Sequence, residues 1–313
     1  MISELPSRQN EPDSLRRLAA ASATYTSAKQ VQFGRIALVF LLAVSSPFVF
    51  WWNRDLAEVI AIVGAFVVVA EPVGKLWEAH LVSRGAAIQE CFDTYTFSLP
   101  WNEYLADEAP HPELVNSRAK QFGRPRDRLK DWYTMTSDVE RPYDVLLCQR
   151  QNLVWDSRLR RNFALYITIA LGLWLTLEIG IWAFVIDVSL ADFLLVFVIP
   201  GLPAVIAGLD LALSNLRTAN IRDRLYRNWN ALWQRALRAP ESVDEMDLRQ
   251  LQDAIYVCRT RSVQVPDWLQ AKRKSRYEDD SRETLEAFKT ELKSRSSAGP
   301  ESGLAPNQGE LIS

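Results

Sequence analysis

The stretch FALYITIALGLWLTLEIGIWAFVI, residues Phe163 to Ile186, decides the fold class of this chain. Glu178 is its only charged side chain, and nearly all of the other side chains are apolar. A helix needs about 20 apolar residues to cross the roughly 30 Å hydrocarbon core of a bilayer. This stretch exceeds that length, so it predicts a transmembrane helix.

Three further apolar runs predict three more spans. They are Ile36–Trp52, Leu56–Ala70 and Phe193–Leu213, and prolines within the last run predict a kinked helix. Only short polar turns separate the first run from the second and the third from the fourth. The sequence therefore predicts an all-α integral membrane protein whose four transmembrane helices form two hairpins, residues 34–77 and 161–213. Buried core helices of a soluble protein are the alternative, and four runs of this length argue against it.

Basic residues predict the orientation of these hairpins. The outer turn of the first hairpin holds Arg54 beside Asp55, whereas that of the second holds Asp187 and Asp192 without a lysine or arginine. The opposite ends of both hairpins are flanked by many arginines and lysines. Because segments rich in positive charge stay on the cytosolic side, both termini and the central segment are predicted to be cytosolic.

The soluble parts are predicted to continue the membrane helices as long helical cytosolic extensions. Apolar residues recur at helical spacing downstream of Trp77, and Pro142 is well placed to begin a helix that runs into the third span. Ser242 and Glu245 predict a capping box at the start of a later helix. The predicted regions outside the hairpins are a cytosolic N-terminal segment (1–33), a cytosolic helical region (78–160), a C-terminal cytosolic helical region (214–293) and a disordered tail (294–313).

Composition and motifs argue against several classes of function. The net charge of -2 is unlike that of proteins that bind DNA or RNA directly, which are strongly basic. The 3 cysteines are odd in number and far apart, so they predict neither a disulfide framework nor a metal site. His80 and His111 lie in no metal or nucleophile motif, and the sequence contains no phosphate-binding loop motif. We therefore expect no enzymatic activity, no metal and no cofactor.

Three clusters in the soluble regions combine arginines with aromatic and amide side chains, around residues 131–133, 148–158 and 256–268. Arginine forks suit phosphates, and the faces of aromatic rings stack on bases. An amphipathic helix interface is the simpler interpretation of the same pattern. As candidates for ligand binding, the clusters supply Arg150, Arg158, Arg259 and Arg261 for phosphates, Tyr133, Trp155 and Trp268 for stacking, and Gln149 and Asn152 for base edges.

Glu178 is the candidate residue inside the membrane. It lies about two-thirds of the way along the third predicted span. At that depth a charged carboxylate costs about 2.5 kcal/mol or more. Such a residue either lines a polar path or pairs across helices, or it stays protonated and hydrogen-bonded within a static bundle. The sequence leaves both interpretations open.

The order of the motifs resembles a known family. The two apolar hairpins are interleaved with IQECFDTYTFSLPWN (88–102), DWY (131–133), CQRQNLVWDSRLRR (148–161), LRQLQDAIYVCR (248–259) and VPDW (265–268). This order is similar to that of the SMODS-associated four-transmembrane effector family, whose members are bacterial CBASS anti-phage membrane effectors. The resemblance covers roughly residues 30 to 275. The chain departs from the family at Trp268-Leu269, since Tyr or Phe is common there shortly after the Pro-Asp step.

The resemblance implies a role in bacterial anti-phage signalling. Members accompany a nucleotidyltransferase that makes a cyclic oligonucleotide on infection, so the expected ligand is a cyclic di- or trinucleotide. The effector is expected to bind this messenger in the cytosol, to form a homo-oligomer and to disrupt the inner membrane, in which it is a multi-pass protein. Two alternatives remain open. One is a constitutive scaffold whose cytosolic helices dock a protein partner, and the other is a membrane enzyme that works near Glu178 or His80.

Overall fold

The computed structural model describes residues 3–184 and 193–297, and the regular structure in these ranges is helical. The helices are α1 (Leu5–Arg8), α2 (Pro12–Trp52), α3 (Arg54–Phe97), α4 (Glu103–Ala106), α5 (Pro112–Lys120), α6 (Tyr143–Phe184), α7 (Ile199–Arg238), α8 (Glu245–Thr260) and α9 (Asp267–Ser297). A π-helical turn (Leu194–Val198) leads into α7, and two 3-10 turns (Arg126–Leu129 and Pro240–Ser242) lie in loops. The prediction of an all-α fold is confirmed for the described residues.

Four of the helices are much longer than a membrane span. Helices α2, α3, α6 and α7 have 41, 44, 42 and 40 residues. At about 1.5 Å per residue each is roughly 60 Å long, about twice the hydrocarbon thickness of a bilayer. Each helix therefore joins an apolar stretch to an extension of similar length without a break, which is the continuity that the sequence predicts.

The long helices pack in two antiparallel pairs, α2 with α3 and α6 with α7. Only Asn53 separates α2 from α3, and Tyr25 of α2 contacts Gly85 of α3. In the second pair Leu171 of α6 contacts Gly208 of α7. A Cβ atom on Gly85 would lie 3.0 Å from the Tyr25 ring, and one on Gly208 would lie 2.7 Å from Leu171 Cδ1. The missing side chains therefore set how closely the helices of each pair approach.

Three helices among the described residues are long and apolar enough to cross a membrane. They are α2, the Tyr143–Gly180 part of α6, and α7. Most side chains in their apolar stretches face away from the protein, as Leu41 and Phe48 of α2 do. So much exposed apolar surface is unfavourable in water but is satisfied by lipid. The second outer turn, residues 185–192 with Asp187 and Asp192, lies outside the described residues.

The other halves of the long helices enclose a hydrophobic core together with α5, α8 and α9. Trp229 and Trp233 of α7 are fully buried and stack with their ring centroids 5.5 Å apart. Phe288 of α9 packs edge-on against Trp233, and the Trp229 indole donates a 2.6 Å hydrogen bond to the Leu146 carbonyl of α6. Helix α9 continues to Ser297, and the remainder of the predicted tail, 298–313, lies outside the described residues.

The predicted capping box of α8 is wrong by two residues. Ser242 lies in a 3-10 turn, where its hydroxyl donates to the Ala239 carbonyl. Asp244 is the residue that caps α8, because its side chain accepts a 2.9 Å hydrogen bond from the backbone N–H of Asp247. The Asp247 carboxylate in turn accepts from the Asp244 backbone N–H at 3.3 Å. An aspartate pair therefore forms the box that the serine–glutamate pattern predicted.

Candidate functional site

A cluster of polar and charged side chains lies buried where α3, α6, α8 and the loop before α6 meet. We call it the buried polar network. Its members are linked by hydrogen bonds or ion pairs and are Glu90, Asp93, Tyr133, Gln149, Asn152, Arg249, Gln252 and Arg259. Four of these, Tyr133, Gln149, Asn152 and Arg259, are ligand-binding candidates from the sequence.

Tyr133 joins the loop before α6 to two helices of the network. Its hydroxyl donates a 2.6 Å hydrogen bond to Asp93 Oδ1 and accepts one of 2.9 Å from Asn152 Nδ2. The Gln9 side chain fixes the backbone of Tyr133 by accepting from its N–H and donating to its carbonyl. Burial raises the pKa of Tyr133 well above its ordinary value, and the nearby Asp93 carboxylate raises it further. The hydroxyl therefore stays protonated and keeps its role as a donor.

One face of α8 supplies the basic and amide groups of the network. Arg249, Gln252 and Arg259 are three and seven residues apart, a spacing that places them on the same side of a helix. Arg259 donates to Asp93 Oδ2 at 2.5 Å, and Arg249 donates to Glu90 Oε1 at 2.5 Å. Gln252 Nε2 lies between these pairs and donates to both carboxylates, at 2.8 and 3.1 Å. Helix α8 is thus held to α3 by charge-assisted bonds.

The network contains equal numbers of negative and positive charges, and burial disfavours the charged form of each group. Two carboxylates, Glu90 and Asp93, face two guanidinium groups, Arg249 and Arg259. Burial raises the pKa of Glu90, and its like-charged neighbour Asp93 raises it further. Burial acts to lower the pKa of Arg259, but Asp93 together with Tyr133, Tyr25 and Glu90 outweighs it, and the pKa is raised overall. Arg259 therefore remains charged, and its loss would leave buried carboxylates uncompensated, at a cost of about 3–5 kcal/mol.

Two buried atoms of the network have no hydrogen-bond partner among the described residues. They are Gln149 Oε1 and Arg259 NH2. The amide nitrogen of Gln149 is satisfied, since it donates to the Leu248 carbonyl at 2.8 Å. A buried polar atom without a partner is costly, and such atoms are rare in folded proteins. The network therefore retains one free acceptor and one free donor.

The other candidates from the sequence lie outside the network. Arg150 is half-buried, and its guanidinium carbon lies 5.1 Å from the Phe288 ring centroid and 5.7 Å from that of Trp229. Arg158, Arg261 and Trp268 are exposed. The Trp155 side chain lies outside the part of the structure that is described.

Two of the exposed candidates are close in sequence to the residues of a contact between α6 and the segment that joins α8 to α9. Arg160 of α6 donates a 2.8 Å hydrogen bond to the Val263 carbonyl. Arg158 and Arg261 are each two residues away from a partner of this bond, and Trp268 lies in the first turn of α9. Guanidinium and indole groups here are open to solvent, and they have the chemistry that phosphates and bases require.

The sequence-based interpretation missed four members of the network: Glu90, Asp93, Arg249 and Gln252. A signal for them was present. Glu90 and Asp93 alternate with the apolar residues Ile88 and Phe92 of α3, and their spacing of three places them on one face. A search for groups that bind phosphates does not select acidic residues, since carboxylates repel them. Among the described residues, no group of histidine, cysteine and carboxylate side chains could hold a metal ion.

Glu178 lies at the contact between α6 and α7. It is half-buried, and its Oε2 atom is 3.9 Å from the position that a Cβ atom on Gly201 would take. Trp174, one turn earlier, packs against the same glycine, with a ring atom 3.2 Å from that position. The Trp174 ring also faces Phe40 of α2, with centroids 5.9 Å apart. The carboxylate is therefore placed between helices rather than wholly against lipid.

A comparison with protein families decides the relationship of this chain. A model described as "SMODS-associating 4TM effector domain" matches residues 3–288. The chain belongs to this effector family. The match covers the buried polar network and all of the apolar helices, and it confirms the resemblance seen in the order of the motifs.

One curated relative supports the same family. It is a protein of Bacillus cereus (strain VD146) named as a probable CBASS effector molecule. The two chains are 26% identical over 272 residues, which is 84% of this chain and 90% of the relative. No solved structure matches the chain significantly.

Proposed function

We propose that this protein is a membrane effector of bacterial anti-phage signalling, which binds a cyclic di- or trinucleotide in its cytosolic part and then disrupts the inner membrane. One observation supports this beyond family membership. Glu90 and Asp93 of the buried polar network belong to the same unbroken helix as the exposed apolar residues Phe66 and Val69. Because α3 runs continuously from these apolar residues through Pro72 to the network, it provides a path by which a change in the network would reach the membrane part.

The proposal places four helices across the membrane. Besides the three candidates, the first half of α3 exposes large apolar side chains, among them Val59, Ile62, Phe66 and Val69. These side chains face away from the protein, as those of α2 do, so lipid would satisfy both helices of the first pair. The proposed membrane part therefore consists of two pairs of antiparallel spans.

The distribution of arginines supports cytosolic termini. Arg158 and Arg161 on α6 and Arg217 and Arg224 on α7 are exposed, and all lie beyond the same ends of the two apolar stretches. Positive charge accumulates on the cytosolic side of membrane proteins. The proposed orientation therefore places the buried polar network, the N-terminus and α9 in the cytosol.

The messenger is proposed to contact the exposed candidates first and the network second. Arg158 and Arg261 would meet its phosphates, while Trp155 and Trp268 would stack on its bases. Phosphates would then compete with Asp93 for Arg259, whose NH2 group is free to donate. Tyr133, Gln149, Asn152 and Arg150 complete the proposed set. A ligand moves such an equilibrium only by its differential affinity for the two states.

Membrane disruption is proposed to proceed by separation of packed helices in a homo-oligomer. Trp174 and Leu171 of α6 fill the contact with α7 at Gly201 and Gly208. Opening a path past Glu178 therefore means moving α6 away from α7, and neighbouring copies would cover the apolar surfaces that this exposes. Glu178 would line the resulting path, since its carboxylate already lies at that contact.

The direct test is dye release from liposomes that contain the full-length protein. A panel of cyclic di-AMP, cyclic GMP–AMP and cyclic tri-AMP is added, and binding is followed in parallel by calorimetry. We expect at least one of them to bind and to release dye. Leakage and binding that are absent with every member would contradict the proposal and favour the scaffold alternative, which docks a protein partner and responds to no nucleotide.

A matched pair of variants tests the proposed contact surface. Arg261→Ala removes an exposed guanidinium beside the Arg160–Val263 contact, and Arg238→Ala removes an exposed one at the end of α7. Losing a charge-assisted contact of about 1.5–3 kcal/mol should weaken messenger binding roughly tenfold or more in Arg261→Ala. Arg238→Ala should bind as the wild type does, and both should unfold at the wild-type temperature. Equal affinities in the two variants would contradict a role for Arg261.

A further inference from the structure

Five charged side chains from three helices meet at one end of the apolar stretches. We call this group the membrane-edge ion cluster. Arg35 of α2 pairs with Glu71 and Glu78 of α3 through its two terminal nitrogens. Lys75 of α3 lies 3.7 Å from Glu71 Oε2 and 3.0 Å from Asp210 Oδ2 of α7. The charges thus form a continuous chain from α2 through α3 to α7.

The cluster is built into the packing rather than lying on the surface. The side chains of Arg35, Glu71 and Glu78 are only 17, 21 and 10% exposed. Arg35 crosses α3 directly over Gly74, where a Cβ atom would lie 2.2 Å from Arg35 Cδ. Any other residue at position 74 would displace this arginine. Gly74 is therefore the position that lets the guanidinium reach both glutamates.

The cluster lines a cavity of about 110 Å³ between α2, α3 and α7. This volume has room for several water molecules. Gln32 also lines the cavity, and it exchanges two 2.8 Å hydrogen bonds with the backbone of Gln264. Gln264 lies five residues after Arg259 of the buried polar network. A short segment of chain therefore connects the network to the cavity and its charges.

The link between Lys75 and Asp210 joins the two helix pairs. At the level of the membrane the pairs also touch through small apolar side chains, including Val39 and Ala43 of α2 and Ala204 of α7. Such contacts gain no hydrophobic driving force in a bilayer, because lipid tails are as apolar as the side chains themselves. An ion pair does have a preferred geometry. The charges at the membrane edge thus add a contact of defined geometry between the two pairs.

We propose that the membrane-edge ion cluster is an electrostatic latch that holds α3 to α7 in the resting protein, and that membrane disruption requires Lys75 and Asp210 to part. This inference rests on the proposed function, because it assigns the restraint that the messenger releases. The cluster contains three carboxylates and two cations, so a reversal of one charge leaves a repulsive group at the contact. Both residues of the Lys75–Asp210 pair are about half exposed, so salt should weaken the latch.

The test is a charge swap in the full-length protein, reconstituted in dye-loaded liposomes without nucleotide. We expect Lys75→Glu and Asp210→Lys each to raise spontaneous leakage about fivefold, the upper end of the effect of losing a half-exposed charge pair. The double variant restores opposite charges at this pair but places a carboxylate beside Glu71, so it should leak less than either single variant without returning fully to the wild-type rate. Lys289→Glu is the control, because Lys289 pairs with Asp138 at 3.2 Å, away from the membrane edge. It should not change leakage.

The outcomes separate the latch from the proposed function. If a cyclic nucleotide makes the wild type leak but the single variants without nucleotide leak no more than the wild type, the latch alone is overturned. A double variant that leaks as much as the single variants would also overturn the latch. The leakage would then come from damaged folding and not from the loss of the ion pair. If neither the variants nor the wild type with any nucleotide of the panel leaks, the latch and the proposed membrane disruption both fail.

Discussion

Asp93 is the residue on which the buried polar network depends. One oxygen of its carboxylate accepts from Tyr133, and the other accepts from Gln252 and Arg259. It is fully buried, so these bonds replace all of its hydration. Buried charges with such partners contribute less to stability than to fixing one arrangement of the elements that carry them. Here the arrangement is that of α3, α8 and the loop before α6.

The first prediction concerns the hydroxyl of Tyr133. Tyr133→Phe removes a donor to Asp93 and an acceptor for Asn152, both in a buried site. We expect the free energy of unfolding to fall by about 1–3 kcal/mol, because two polar groups lose a partner. Denaturant unfolding in detergent micelles measures this change. Tyr104→Phe, at a fully exposed tyrosine, is the control and should be neutral; a neutral Tyr133→Phe would show that the hydroxyl is not needed.

The second prediction concerns the reactivity of Cys91. Burial raises the pKa of this thiol to about 11, although Arg17 acts to lower it, and Glu90 adds a smaller increase. Because only the thiolate reacts, a pKa about two units above the ordinary value lowers the alkylation rate at pH 8 about a hundredfold. Iodoacetamide labelling followed by mass spectrometry measures the rate, which should rise about tenfold per pH unit. A cysteine introduced by Tyr104→Cys provides the fast reference, and equal rates at the two sites would contradict the prediction.

At the scale of single residues, the sequence identifies side chains by type but not by partner. The chemistry of Tyr133 and Arg259 suits a nucleotide, and the structure places both in one network. It also pairs Arg259 with Asp93, more than 160 residues away, and no local pattern contains that information. Whether Arg259 neutralises a carboxylate or a phosphate is decided by this distant contact.

At the scale of elements, helix length and type follow from pattern, whereas helix ends depend on atomic detail. The apolar spacing of α8 is evident from the sequence, but two residues near its start, Ser242 and Asp244, are both good caps. Val243 lies between them and is buried in the core. The helix begins at Glu245, so only Asp244 is in position to accept from the third residue of the helix.

The third prediction tests this cap. Asp244→Ala removes the hydrogen bond to the Asp247 N–H, so the free energy of unfolding should fall by about 1 kcal/mol. Ser242→Ala is the matched control, since its hydroxyl only contacts the Ala239 carbonyl in an exposed turn, and it should change stability by less than about 0.5 kcal/mol. Thermal unfolding of both variants in the same detergent compares them. A larger loss of stability in Ser242→Ala than in Asp244→Ala would instead support Ser242 as the cap, as the sequence predicts.

At the scale of the whole molecule, the division into apolar and polar halves follows from the sequence, because lipid and water select side chains so differently. The packing of one helix pair against the other does not follow from it. The cluster around Arg35 joins Glu71 and Asp210, which lie in different predicted hairpins, and its geometry depends on the bare backbone at Gly74. A contact of this kind arises only when the pairs are already side by side.

The last prediction concerns topology. Alkaline phosphatase fused to a membrane protein is active only when it is exported from the cytosol. Fusions after Asn53 and Ser189 should therefore be active. Fusions after Trp101 and Arg261 should be inactive, because the arginine-rich ends of the helices are expected to stay in the cytosol. β-Galactosidase fusions at the same four positions should show the opposite pattern.

The position after Trp101 is the decisive one in this set. If α3 returns through the membrane, Trp101 lies on the same side as the N-terminus. If α3 does not cross, the chain after α2 remains outside, and phosphatase fused at Trp101 would be active. That result would place Glu90 and Asp93 away from any cytosolic messenger, so it would exclude the proposed ligand site together with the fourth span. An inactive phosphatase and an active β-galactosidase at Trp101 would instead establish that the buried polar network faces the cytosol.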